Sequence, residues 1–240
     1  MVREIGNLSV LGFVDGITAT FIVISSVIFG LLSFYHARKL EAKLLGLAGL
    51  LMITIGCFWL GPTTDFFMVA LTGNNLSPQH IYGWLSYISI APAVTIGFYI
   101  GAELMLPTKK KIITIIYAIL GIIFEVLILT MPIGTNGVFQ FQNIQEGDLI
   151  DSGLNRANPA FWILVLFLIS LLIFLVIGFA IKAIQSTGEL RKKFAYLSMG
   201  FATFFICGMA DSLFLMGIYL AIWRAAMMTS PMWMYLGLKI

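Results

Sequence analysis

Charge is what this sequence has least of. Asp, Glu, Lys and Arg make up 10% of its 240 residues, against 60% hydrophobic side chains. A soluble domain of this size carries roughly a quarter charged residues, so a water-exposed globular fold is excluded. Histidine is nearly absent as well. His36 and His80 are read as isolated loop residues, and two cannot supply the clustered ligands of a membrane zinc hydrolase. The only cysteines, Cys57 and Cys207, sit in apolar runs with no histidine near them, which supports neither a thiolate nucleophile nor a metal site. Glycine-rich phosphate loops are missing too. No enzymatic activity, metal or cofactor is therefore expected.

What the chain has in abundance is long apolar runs, with a mean hydropathy of +1.01. One crossing needs roughly 20 apolar residues to span about 30 Å of hydrocarbon. Windows that meet this lie at roughly 8–35, 44–71, 81–106, 112–132, 160–182, 194–215 and 218–238. The expected fold class is all-α: a polytopic protein with seven transmembrane helices, one domain over residues 1–240, multi-pass in the cell membrane and in contact with its lipid. The opening MVREIGNLSV has no charged segment followed by a short apolar core and a small-residue cleavage site, so no signal peptide is expected.

Lysine and arginine orient the helices. Arg38, Lys39, Lys43, Lys109 to Lys111, Lys182, Arg191 to Lys193 and Lys239 fall at one set of helix ends, and Arg3, Arg156 and Arg224 at the other. By the positive-inside rule the N-terminus lies outside and the C-terminus inside. The net charge of +3 thus reflects topology, and no nucleic-acid partner is expected. The long loop Ile133 to Pro159 carries Glu146, Asp148 and Asp151 against Arg156 and reads as an outer lid or spacer. On the inner side the loops are short and basic; no attached output domain is expected, and any signal is expected to pass through a separate cytoplasmic partner.

Two phrases suggest an internal repeat. Aligning Lys43 with Lys193 sets LLGLAGLLMITIGCF against FAYLSMGFATFFICG, matches Cys57 to Cys207, and leads each helix to an aspartate, Asp65 and Asp211. FYIGAEL and MYLGLKI follow, with Pro92 and Pro231 upstream. The expected arrangement is 3+1+3, with parallel repeats at 8–106 and 160–238 and a linker helix at 112–132. In topology this resembles the transporter and opsin superfamily of SWEET, PQ-loop and microbial rhodopsin proteins, and the seven-helix sensory modules of prokaryotic histidine kinases. The motifs do not follow the topology. The one Pro78-Gln79 pair stands in a loop, and the seventh span has no central lysine for a retinal Schiff base, only Arg224 and Lys239 near its ends.

Ionisable residues inside hydrocarbon cost at least about 2.5 kcal/mol, so each needs a reason. Counted at about 1.5 Å per residue, Asp15, Asp65, Glu125, Asp211 and Arg224 share a layer in the outer third of the membrane. They are the candidate ligand-binding or proton-linked residues, with Arg224 pairing Asp211 or Glu125 across the bundle. Asp15 and Asp65 are equally placed to be solvated or capping residues, and Asp211 with Arg224 to be a structural pair. Trp59, Trp84 and Trp223 lie at the same level as candidate pocket lining, although an interfacial aromatic belt puts tryptophan there in any membrane protein. Glu103 sits beside Lys109 to Lys111 and is expected to form an interfacial ion pair. Span five offers only Ser170 and is expected to face lipid. Gly46, Gly49, Gly97 and Gly101 are expected at close helix contacts. Asp65 and Asp211 lack the GxGD pattern of an intramembrane aspartyl protease.

The functional expectation is a protein that binds a small polar or cationic solute in an outward-facing cavity and transports it, by rocking of two halves about Pro62, Pro92 and Pro231. The alternative is a receptor-like sensor whose basic loops dock a cytoplasmic protein. A structural membrane subunit remains a third reading.

Overall fold

The computed structural model describes residues 8–142, 148–213 and 218–239; Arg3 and Glu146 fall outside them. Six helical segments are long and apolar enough to cross a membrane: α1 (Val10–Lys39), α2 (Lys43–Thr72), α3 (His80–Met105), α4 (Pro107–Thr130), α5 (Pro159–Gln185) and α6 (Gly188–Leu213). They make this a membrane protein. Two shorter helices follow, α7 (Ile218–Met228) and α8 (Ser230–Leu238). His36 proves to lie in the last turn of α1 and His80 at the start of α3, in neither case in a loop.

The helices form a ring in sequence order. α1 packs on α2, α2 on α3, α3 on α4 and α5, α5 on α6, and α6 on α7 and α8, which return to α1 and close the circle. Small side chains allow the tightest approaches. Along α1 the buried positions Asp15, Ala19, Ile22, Ser26, Gly30, Ser33 and Ala37 recur three or four residues apart, a stripe facing inward. Gly30 and Gly49 meet on this stripe; a Cβ on Gly49 would stand 2.7 Å from the Gly30 carbonyl oxygen. The outer surface is apolar, as lipid requires, and α4 presents Ile112, Ile115, Ile119, Ile122 and Val126 to it.

Three prolines interrupt the helices where their missing N–H leaves a carbonyl without its partner. Pro62 follows a 3₁₀ turn at Cys57–Trp59, Pro92 follows turn residues Ile88 and Ser89, and Pro231 follows the break at Thr229. α5 is interrupted differently, by a π-helical turn at Leu172–Ile177. Ser198 of α6 donates to the Val176 carbonyl there at 2.9 Å. Span five therefore does more than face lipid: Phe167, Leu171, Leu175 and Phe179 fill the core, and Ser170 accepts from the Tyr117 hydroxyl at 2.7 Å. Gly97 and Gly101 lie against Phe174 and Leu175 of this turn and Leu171 just before it.

The two ends of the ring differ. One carries the lysine-rich connections, where Lys110 pairs with Glu103 as expected. The other is covered by an antiparallel hairpin, β1 (Phe139–Phe141) and β2 (Ser152–Leu154), with Phe139 opposite Leu154. Val138, Phe139, Leu149 and Ile150 are buried beneath it. Asn158 then starts α5, its carboxamide oxygen accepting from Ala160 N–H at 2.9 Å, with Pro159 in the first turn.

Because the nearest atom facing Gly49 is the Gly30 carbonyl oxygen, with the Phe34 nitrogen at 3.2 Å, Gly49→Val cannot be absorbed by a side-chain shift alone. It should destabilise the protein by about 1–3 kcal/mol, the usual cost of overpacking, read as reversible unfolding in mixed micelles.

Candidate functional site

The site grows from one buried cation. Arg224 lies in the second turn of α7, only 7% exposed. Its Nε donates to Asp211 Oδ1 of α6 at 2.7 Å, and its Nη1 donates to the Asp15 backbone carbonyl of α1 at 3.0 Å and to the Asp15 carboxylate. Asp15 is itself 5% exposed. The inward stripe of α1 puts Asp15 at this level, and Gly16 beside it leaves room for the Phe66 ring of α2. A guanidinium can serve both carboxylates because its five N–H groups fan out in a fixed plane.

A third carboxylate comes from the loop. Asp151, immediately before β2, lies within electrostatic reach of Arg224 and Asp211. Burial raises its pKa above the ordinary 3.8; the Arg224 charge lowers it, Asp211 raises it and a backbone hydrogen bond at Ser152 lowers it. Two carboxylates thus pair with one guanidinium and a third lies within electrostatic reach, an excess of acidic groups that favours a bound proton or cation. Tyr82 lies within the same field, and the Tyr87 hydroxyl reaches the Ser152 carbonyl at 3.4 Å. The hydroxyls of Thr63, Ser86 and Ser152 are buried without a hydrogen-bond partner among the described residues. Such groups call for a water or a ligand.

The other sequence candidates go elsewhere. Asp65, fully buried, accepts from Leu76 N–H at 2.6 Å, Ile150 N–H at 2.7 Å and Asn75 Nδ2 at 3.1 Å. It ties the hairpin loop and the α2–α3 connection to the end of α2, so it is neither a solvated residue nor a member of the acid cluster. Ser9 and Asp148 extend the tie: the Ser9 hydroxyl caps α1 and donates to Asp148 at 2.5 Å. Glu125 does not meet Arg224. It faces the backbone of Ala91 on α3, which is its polar contact.

The tryptophans also separate. Trp59 is buried against Phe58 and Phe204 in the core, and Trp84 donates to the Ile128 carbonyl of α4 at 2.8 Å. Trp223 is partly buried against the core. Among the described residues, none of the three lines either of the cavities below. Two cavities do lie on the ring's axis, but neither is at the hairpin end. An apolar void of about 40 Å³ sits between Ile55, Phe58, Ile90, Phe167 and Phe204. Below it, a cavity of about 250 Å³ occupies the lysine-rich end, and Phe201 borders both.

Comparison with known proteins finds no matching family model, no matching curated protein and no matching solved structure.

Arg224→Gln should destabilise the protein by about 3–5 kcal/mol, since it leaves buried carboxylates unpaired. The triple variant Asp15→Asn, Asp211→Asn, Arg224→Gln should recover most of the loss in the same unfolding assay. For Asp151, the folded pKa lies above the unfolded one, so its contribution to stability falls as pH rises through the interval just above 3.8. Asp151→Asn cannot ionise, and its unfolding should be flatter with pH across that interval.

Proposed function

We propose that the chain is a multi-pass cell-membrane protein that binds a small organic cation at the Asp15–Asp151–Asp211–Arg224 cluster and carries it across the membrane. The observation that carries this reading is the excess of carboxylate over guanidinium in a buried site. A cation, or a proton in exchange for one, balances that charge. The apolar axis selects the kind of cation. Between the cluster and the lysine-rich end stand Phe58, Trp59, Phe201 and Phe204, a path that suits a charge carried on an apolar body, with ring faces available for cation–π contact.

In this reading the lysine-rich end faces the cytoplasm, residues 218–238 make the seventh crossing, and 8–106 and 160–238 are the two repeats. The halves rock about the helix interruptions near Pro62, Pro92 and Pro231. The hairpin is the outer gate, and Asp211 exchanges Arg224 for the solute as it opens. Glu125, against the Ala91 backbone beside the interruption in α3, is a proton-linked residue rather than part of the binding cluster.

A second reading has one observation in its favour. The apolar void and the aromatic residues around it leave no polar track through the middle of the ring, which suits a sensor that binds the same cation and signals to a cytoplasmic protein at the basic loops.

The test is uptake of a panel of labelled quaternary and aromatic amines into proteoliposomes, alongside thermal-shift binding. Saturable uptake should appear for one class, and Asp151→Asn should weaken it about tenfold or more, the scale of one lost charge-assisted contact. Binding without uptake selects the sensor. Absence of both overturns the cation site.

A further inference from the structure

The cavity at the lysine-rich end is separate from the acid cluster and has a different chemistry. Its walls come from α2, α3, α5, α6 and α8, including Leu45, Met52, Phe194, Phe201 and Met234. Every lining residue but one is apolar or glycine, and that one is Lys193. At about 250 Å³ it is smaller than the roughly 300–1,000 Å³ typical of compact small-molecule pockets. Neither α1 nor α4 contributes to it, so it lies at the centre of the ring and not on the lipid-facing rim. Gly237 keeps α8 close to α6: a Cβ there would stand 2.7 Å from the Lys193 carbonyl oxygen.

We infer that this cavity holds the apolar chain of an anionic amphiphile, with its acidic headgroup at Lys193. Wall chemistry and charge both point to that occupant. An apolar space this size, if filled by water, leaves that water with almost no polar partners. An alkyl segment satisfies it, and gains by leaving water. In the sequence flanking the lining residues the charge is mixed but positive on balance. Arg191, Lys192 and Lys193 precede Phe194, Lys43 precedes Leu44 and Lys239 follows Leu238, against Glu41 and Glu189 beside Ala42 and Leu190. A lysine can bury its stem along apolar walls and hold its ammonium at the rim, where a carboxylate or phosphate meets it. The shared chemistry, an acidic head on a flexible chain, belongs both to a free fatty acid and to an anionic phospholipid. Bound there, the chain reaches toward Phe201, the residue between this cavity and the axial void, and so stands across the path proposed above without depending on it.

The experiment uses the full chain in phosphatidylcholine nanodiscs with a diazirine-bearing oleate, photolysed and mapped by peptide mass spectrometry. Label should concentrate on the segments around Leu45 to Met52, Phe194 to Phe201 and Met234. Unlabelled oleate should compete about tenfold better than oleyl alcohol, the scale of one charge-assisted contact. Lys193→Gln should erase that preference while leaving the melting temperature unchanged, and Ala48→Phe should abolish labelling at these segments by filling the cavity. Phosphatidylglycerol in the disc that competes with the label in a Lys193-dependent way assigns a phospholipid chain as the occupant; failure to compete assigns the free fatty acid. Label confined to the lipid-facing sides of α1 and α4, or indifferent to Lys193→Gln, overturns the proposal.

Discussion

A guanidinium buried among carboxylates is the constraint on which the hairpin end of this protein depends. Arg224 binds the first helix through Asp15 and the sixth through Asp211, and so closes the ring between its earliest and latest elements. Most helix contacts here are apolar, and in lipid such contacts are weakly discriminating because the hydrocarbon is as apolar as the side chains. A charged pair is not. Its desolvation is tolerable only when the partner stands within hydrogen-bond reach, which makes α1, α6 and α7 meet at one depth and in one rotation.

A second tie organises the loops. Asp65 takes two backbone N–H groups and one side-chain amide from segments on either side of α3 and α4. Those donors belong to irregular backbone near the membrane surface, where no helix or sheet ladder would satisfy them. With the hairpin pinned in this way, Asp151 is carried to the Arg224 cluster. Asp65 thus holds the loop that carries Asp151, the residue next to its Ile150 donor.

The three proline interruptions and the π turn of α5 surround the same axis. Each leaves carbonyls outside the regular ladder, and where the partner is visible it comes from a neighbouring helix, as Ser198 does for Val176. These are places where the helices can change direction without stripping many hydrogen bonds. On the proposed reading they are where the ring bends between its two states, with the aromatic layer of Phe58, Trp59 and Phe204 as the closed gate between them.

The sequence by itself determined the membrane class and the approximate bounds of the six long apolar helices. Windows such as 44–71 and 160–182 fall within a few residues of α2 and α5, because hydropathy and a fixed rise per residue act locally along one helix. The Glu103–Lys110 pair and the Asp211–Arg224 pair were legible for the same reason, since their partners lie on consecutive elements. Azimuth was not legible. Depth places Asp15, Asp65, Glu125 and Asp211 in one layer, but only the packing of the ring turns Asp15 toward Arg224, turns Glu125 toward Ala91 and gives Asp65 to the loops. Asp151 lay in a loop with no periodicity to read, and the cavity at Lys193 is made by five helices distant in sequence. Both depend on how separate segments are brought together, which no local pattern encodes.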